Sequence, residues 1–173
     1  MYDEGKGVPR DFAKARSLYE KAAEQGHVGA QNNLGVMYDE GKGVPQDYKK
    51  ALHWYSKSAA QGYAPAQVSV GVMYDQGQGV VQDYKTAKSW YEKAAEQGNA
   101  QGQFNLGITY AQGQGISVNQ IEALKWLGLA ESQGIPNAKK YREQVEKTMK
   151  REQIDEAHRR AREWTKAHGS LSQ

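Results

Sequence analysis

Met37-Tyr38-Asp39-Glu40-Gly41-Lys42-Gly43-Val44 decides the fold, because the chain carries this stretch repeatedly at one spacing. The same eight positions stand thirty-six residues earlier as Met1 to Val8 and thirty-six later as Met73 to Val80. They return in weaker form as Thr109 to Ile116. No gap separates the copies. A fixed period between about 20 and 50 residues is the signature of a solenoid, whose units bury their apolar faces only by packing on one another. One unit can therefore be read and then repeated.

Each unit reads as two helices. The second is the plainer: Asp47 is an N-cap whose carboxylate can accept from the free N–H groups of the first turn. Ala51, Trp54, Tyr55 and Ser58 then follow at i, i+3, i+4 and i+7, an apolar stripe of helical period. The stripe recurs as Ala15, Leu18, Tyr19, Ala22, as Ala87, Trp90, Tyr91, Ala94, and as Ala123, Trp126, Leu127, Ala130. Gly26, Gly62, Gly98 and Gly134 follow these helices, where a left-handed residue is needed to turn the chain. The first helix of the unit reads as shorter, roughly Gly29 to Tyr38, with Ala30, Leu34 and Tyr38 on its buried edge. Gly35, Gly71 and Gly107 recur inside it. A helix-interior glycine costs about 1 kcal/mol relative to alanine, so these predict the close approach of a neighbouring helix.

The chain has 173 residues, 25% charged and 38% hydrophobic, the composition of an ordinary folded chain. It has no cysteine, which excludes disulfides, thiolate zinc sites and a cysteine nucleophile. The mean hydropathy is −0.88, and no apolar run approaches the 18 or so residues of a membrane-spanning helix. No basic-then-apolar segment opens it, so no signal peptide is read here. The Gly-x-Gly loops between the helices, Gly41/Gly43, Gly77/Gly79 and Gly113/Gly115, explain the excess in a count of 19 glycines as turn chemistry.

The unit Ala-x3-Leu-Gly-x2-Tyr-x2-Gly-x-Gly-Val-x2-Asp-x3-Ala-x2-Trp-Tyr-x-Lys-x-Ala-x2-Gly, from Ala30 to Gly62, closely resembles the Sel1-like repeat. That family is a branch of the tetratricopeptide-like α-solenoids. The resemblance covers residues 1 to about 138. It implies an all-α, right-handed superhelix of 36-residue helix-loop-helix repeats, with 1–28 a partial repeat and 29–64, 65–100 and 101–136 full ones. The fourth copy departs at Ser117, where Pro9 and Pro45 stand, and at Asn119, where Asp47 stands; asparagine caps equally well.

The two ends differ. Met1 aligns with Met37 and Met73, late in a first helix, so the chain opens in mid-repeat and reads as part of a longer protein. After Gly134 the register lasts only to Ala138. Tyr141, Val145 and Met149 then step along one helix face, and Ile154, Ala157, Ala161 and Trp164 along another, predicting a two-helix cap over 137–167. Residues 168–173 are expected to fray. Residues 1–138 carry 13 Lys/Arg and 14 Asp/Glu, whereas 139–168 carry 10 and 6, so the basic balance lies in the cap.

No catalytic, cofactor-binding or metal-binding set emerges. The four histidines form no His-Glu-x-x-His and no i, i+4 pair. The Gly-x-Gly loops lack the third glycine and the lysine of phosphate-binding motifs. Some Sel1-like relatives have been linked to penicillin binding and β-lactam hydrolysis. Ser-x-x-Lys, Gly-x-Ser-x-Gly and Lys-Thr-Gly are all absent here, and the chain reads as no enzyme. Turnover or binding of a cell-wall fragment or β-lactam therefore stands as an alternative by analogy alone. A third reading is nucleic-acid or anionic-surface binding through Lys139, Lys140, Arg142, Arg159, Arg160 and Arg162 of the cap; the slightly acidic repeats themselves predict none.

The leading expectation is a scaffold or adaptor that binds a protein or peptide without a cofactor. By the family's geometry the first helices line a concave groove. There Asn32, Val36 and Asp39, then Val68, Val72 and Asp75, then Phe104 and Ile108 face the ligand. Val36, Val72 and Ile108 make an apolar track, which serves either packing between repeats or binding. Asp3, Asp39 and Asp75 make an acidic row that would favour lysine or arginine in the ligand. Phe104 replaces Asn32 and Val68 at one register and reads as a position released from packing, with the aromatic character of a binding hot spot. The uniform repeats and short loops resemble bacterial members of the family, many of them periplasmic or secreted.

Overall fold

The computed structural model describes residues 12–169, and every regular element among them is a helix. In chain order these are α1 (Phe12–Glu24), α2 (Val28–Glu40), α3 (Tyr48–Ala60), α4 (Ala64–Gln76), α5 (Tyr84–Glu96), α6 (Ala100–Gln112), α7 (Gln120–Ser132), α8 (Ala138–Glu146) and α9 (Arg151–His168). The fold is an α-solenoid of helix-loop-helix repeats. Among the described residues no helix is long and apolar enough to cross a membrane. Residues 1–11 of the opening partial repeat, with Asp3 and the Gly5-Lys6-Gly7 loop, lie outside the described residues, as does the tail beyond Gly169.

The two helices of a unit are equally long. Each of α1 to α7 has 13 residues, so the first helix is not the shorter one that its sequence suggests. It starts at Val28, where the His27 imidazole caps it, Nδ1 accepting from the Ala30 N–H at 3.2 Å. It continues past Tyr38 to Glu40, where Gly41 turns left-handed (φ 67°) and donates its N–H to the Met37 carbonyl. The second helices begin as the sequence indicates. Asp47 accepts from the Lys50 N–H at 3.0 Å, and Asn119 accepts from that of Glu122 at 3.1 Å. The loop is closed in the same way in three copies: the N–H groups of Asp47, Asp83 and Asn119 donate to the carbonyls of Tyr38, Tyr74 and Tyr110.

The chain divides at Asp83/Tyr84 into two compact units. In the first, Ala23, Ala30, Leu34, Met37 and Val44 form a core flanked by Phe12, Tyr19, Tyr38 and Trp54. Its helices approach closely at Gly35, where a Cβ would lie 2.4 Å from the Tyr55 ring. The second unit does the same at Gly107, whose Cβ would meet Leu127 at 2.8 Å. The second glycine of each loop also has a packing role: a Cβ on Gly43 would strike Phe12, and one on Gly115 would strike Tyr84.

Buried glutamines join the helices. Gln31 donates its side-chain N–H to the Ala23 carbonyl at 3.1 Å and accepts from Gln61 at 2.8 Å. In the second unit Gln103 donates to the Ala95 carbonyl and accepts from Gln133 at 2.8 Å. Each buried amide thereby gains the partners it needs.

The cap consists of α8 and α9, both packed on α7. Pro136 and Asn137 form a turn, with Asn137 at φ 66°, so α8 begins only at Ala138. His168 is the last residue of α9 and no part of a frayed tail. Its ring stacks on Trp164 at 4.2 Å, and its Nε2 lies 3.6 Å from a Glu96 oxygen.

Candidate functional site

In the first unit α2 carries Asn32, Val36 and Asp39 on one face, and α4 carries Val68, Val72 and Asp75 on the corresponding one. Asn32, Val36, Val72, Asp39 and Asp75 are half-buried. Val68 is only 9% exposed and belongs to the core, which corrects its reading as part of a groove floor. The side-chain oxygen Oδ1 of Asn32 is buried and has no hydrogen-bond partner among the described residues.

The acidic row is tied into the fold. Asp39 accepts from the Tyr55 hydroxyl at 3.3 Å. Burial pushes its carboxyl above the ordinary value, the Tyr55 hydrogen bond pulls it down, and Glu40 pushes it up, with a net rise. Burial likewise raises Asp75. The main-chain carbonyls of both residues are held as well, Gln46 donating to that of Asp39 and Gln82 to that of Asp75, each at 2.6 Å. A carboxylate that accepts from a buried tyrosine is a poorer lure for a cationic ligand than the sequence alone suggests.

Phe104 is half-buried. It meets Tyr141 of α8 edge-to-face, with ring centroids 5.7 Å apart. The register is therefore filled by the cap: an aromatic residue stands there because α8 brings a second aromatic ring against it. Such a pair is worth about 0.5–1.5 kcal/mol beyond its buried area.

One turn further along α6, Ile108 lines an open groove of about 350 Å³ between α6 and α8. Ala111 and Gln112 of α6, Gln120 of α7, and Tyr141, Gln144 and Val145 of α8 complete its walls, with Thr148 at the end. Gln120 donates to the Thr148 hydroxyl at 2.8 Å, and that hydroxyl donates to the Val145 carbonyl at 2.8 Å. No charged side chain lines the groove. Its wall at Ala111 belongs to a paired exchange whose other member, Leu127, is fully buried. Ala111 stands at the register of Asp39 and Asp75, and Leu127 at that of Tyr55 and Tyr91. Both partners of the Asp39–Tyr55 hydrogen bond are thus apolar here, leaving neither group unsatisfied.

Of the eight expected residues, the structure brings only Ile108 into this groove. Tyr141, Gln144 and Val145 were missed as lining residues, because the cap's apolar stripe reads as buried against the last repeat. The exchange of aspartate for Ala111 was visible in the sequence and is the signal that could have found the place.

The basic residues of the cap are largely neutralised. Arg142 pairs with Glu131 and Glu146; burial tends to lower its guanidinium, and the two carboxylates outweigh that and raise it. Arg159 pairs with Glu156 and Glu163, and Arg160 with Glu122 and Glu156. The continuous patch expected of a phosphate-binding surface is thereby broken up.

The Sel1 repeat family model matches residues 1–27, 28–63, 64–99 and 100–135, a register one residue earlier than the period alone suggests. Among solved structures, the chain is similar to c5321, a protective antigen present in uropathogenic Escherichia coli strains that displays an SLR fold. The TM-score is 0.89 at 35% identity, over 95% of this chain and 36% of that one. It is also similar to a Sel1 repeat protein from Oxalobacter formigenes, with a TM-score of 0.74 at 35% identity over 82% of this chain and 58% of that one. A likeness in fold alone extends to cysteine rich protein B of Helicobacter pylori, at TM-score 0.59 and 24% identity over 76% of this chain and 94% of that one. The chain spans about a third of the first of these structures and little more than half of the second. No curated protein matches it. Sel1 repeat proteins are commonly protein-interaction scaffolds and generally non-enzymatic. With four matched repeats covering most of its length, the chain belongs to the Sel1 repeat family.

Proposed function

We propose that this chain is a non-enzymatic scaffold that holds an uncharged segment of a partner protein in the groove between α6 and α8. An apolar side chain of that segment seats against Ile108, Ala111 and Val145, while Gln112, Gln120 and Gln144 offer amide donors and acceptors to its main chain. The observation that carries this reading is Ala111 in place of the aspartate of the earlier repeats, part of an apolar wall with a neutral polar rim. A groove of about 350 Å³ suits one or two side chains. Mostly apolar lining with a few placed polar groups is the usual form of a recognition site.

Site-specific photo-crosslinking tests it. A benzophenone side chain at Gln144 is expected to capture one partner, through a peptide rich in neutral residues. Introducing Ile108→Glu is expected to abolish the adduct while the helicity and melting of the scaffold stay unchanged. The same adduct formed from Ser89, an exposed position of α5, would refute the groove as the binding site.

A further inference from the structure

A second groove, of about 580 Å³, lies between α7 and α9 and shares no lining residue with the first. Its floor is shallow in side chains. Gly128 stands there, at the register of Glu20, Ser56 and Glu92. A Cβ on Gly128 would meet nothing within 4 Å, and its φ is not left-handed, so neither the turn geometry nor the packing of the described residues calls for glycine. Glycine weakens a helix interior relative to any of the residues it replaces. One turn on, Ser132 donates its hydroxyl to the Leu129 carbonyl at 2.7 Å; across the groove Thr165 donates to that of Ala161 at 3.0 Å. Both hydroxyls are turned into their own helices, so the floor from Gly128 to Thr165 is apolar.

The rim is cationic. Arg162 and Lys166 are exposed and lie one turn apart on α9, about 6 Å along the axis. Among the described residues neither forms an ion pair. Glu163, between them on α9, is already engaged by Arg159. His158, at one end of the groove, lies 3.7 Å from Glu146. No carboxylate lines the groove itself.

We propose that this groove docks an acidic amphipathic helix of a partner protein. Small side chains on one face of that helix pack at backbone distance on Gly128 and Ala161, and two carboxylates one turn apart pair with Arg162 and Lys166. A helix fits because the groove runs between two helices and offers no strand edge. A polyanion would use the cations but has no use for a bare apolar floor.

The test is selection of a phage-displayed library of randomised helical peptides on the full chain. Enriched sequences are expected to carry Asp or Glu at i and i+4 beside a small-residue face. Synthetic copies are expected to lose at least tenfold in affinity on Gly128→Leu and on Arg162→Glu/Lys166→Glu. Ile108→Glu, in the other groove, is expected to leave them unchanged, and circular dichroism is expected to be the same for every variant. Enrichment without acidic residues would overturn the proposal, as would binding that survives Gly128→Leu. An oligonucleotide whose retention falls on charge reversal but not on Gly128→Leu would reassign the rim to polyanion binding and also overturn it.

Discussion

The helices α3 and α7 occupy the same register of their repeats, yet their aromatic positions have different surroundings. Trp54 of α3 is half-buried with the Lys57 ammonium 4.7 Å from its ring centroid. Trp126 of α7 is 3% exposed, because Trp164 of α9 covers it edge-to-face at 5.8 Å. Leu18, the same position on α1, is 50% exposed. Beside these, Tyr55 bonds Asp39, whereas Leu127 and Ala111 stand at the registers of that tyrosine and that aspartate. Gly35 and Gly107 keep the same space open in both units. The repeat thus fixes where backbones approach, and the residues filling the remaining space change in matched pairs according to what covers them.

The largest effect expected from breaking this scheme is at the glycines. Gly35→Leu forces a side chain into the Tyr55 ring and is expected to destabilise by about 3 kcal/mol or more, read as a lower urea midpoint. Gly128→Ala, where the added Cβ meets nothing, is expected to stabilise by up to about 1 kcal/mol. Equal midpoints for the two variants would remove the argument that packing distinguishes these helix-interior glycines.

Next in size is the cover over α7. Trp164→Ala uncovers Trp126 and removes both the stack with His168 and the hydrogen bond its Nε1 donates to Glu96 at 3.2 Å. It is expected to cost about 2–3 kcal/mol, below the full value for a buried tryptophan because Trp164 is itself half-exposed. Tryptophan fluorescence is expected to shift to the red as Trp126 meets water. A midpoint and spectrum like those of the unaltered chain would show that α9 contributes nothing to the packing of α7.

How far the sequence carried the reading depends on the kind of contact. The period, the caps at Asp47 and Asn119, the glycine stops and the close approach at Gly35 are local properties of one unit, and repetition made them plain. The length of α2 is less legible, chiefly because its last turn runs past Tyr38 to Glu40 before Gly41 ends it, while at its start the cap is a histidine, which seldom signals a helix. The packing of Phe104 is hidden for a different reason. Its partner Tyr141 is 37 positions away in a segment that has left the repeat, so no periodicity announces the contact. The groove beside it arises where repeat and cap meet, the one place where the pattern of a unit cannot say what comes next.

The Asp39–Tyr55 pair gives a smaller test. Tyr55→Phe leaves the Asp39 carboxylate without its donor and is expected to cost about 1 kcal/mol. Asp39→Ala with Tyr55→Leu copies the residues of the last repeat, and the double variant is expected to lose less than the two single changes together. A coupling of about 1 kcal/mol in that cycle would measure the pair, and strict additivity would show that the exchange at Ala111 and Leu127 is coincidental.

The smallest effect is one of pH, and its sign follows from the direction of the shifts. Burial raises the Asp39 and Asp75 carboxyls above their ordinary 3.8. The folded chain therefore binds these protons more tightly than the unfolded one, and stability falls as pH rises from about that value through the raised ones. What the two residues contribute is fully present below 3.8 and is lost above the folded values. Ala111 cannot titrate, so the last repeat has no such dependence at this register. In a series of urea midpoints, Asp39→Asn/Asp75→Asn is expected to match the unaltered chain near pH 3 and to exceed it increasingly as the pH rises. A difference that grows toward acid instead would mean that hydrogen bonding outweighs burial at these carboxylates. They would then be anions that stabilise the fold, and the matched loss of Asp and Tyr in the last repeat would have removed a favourable contact.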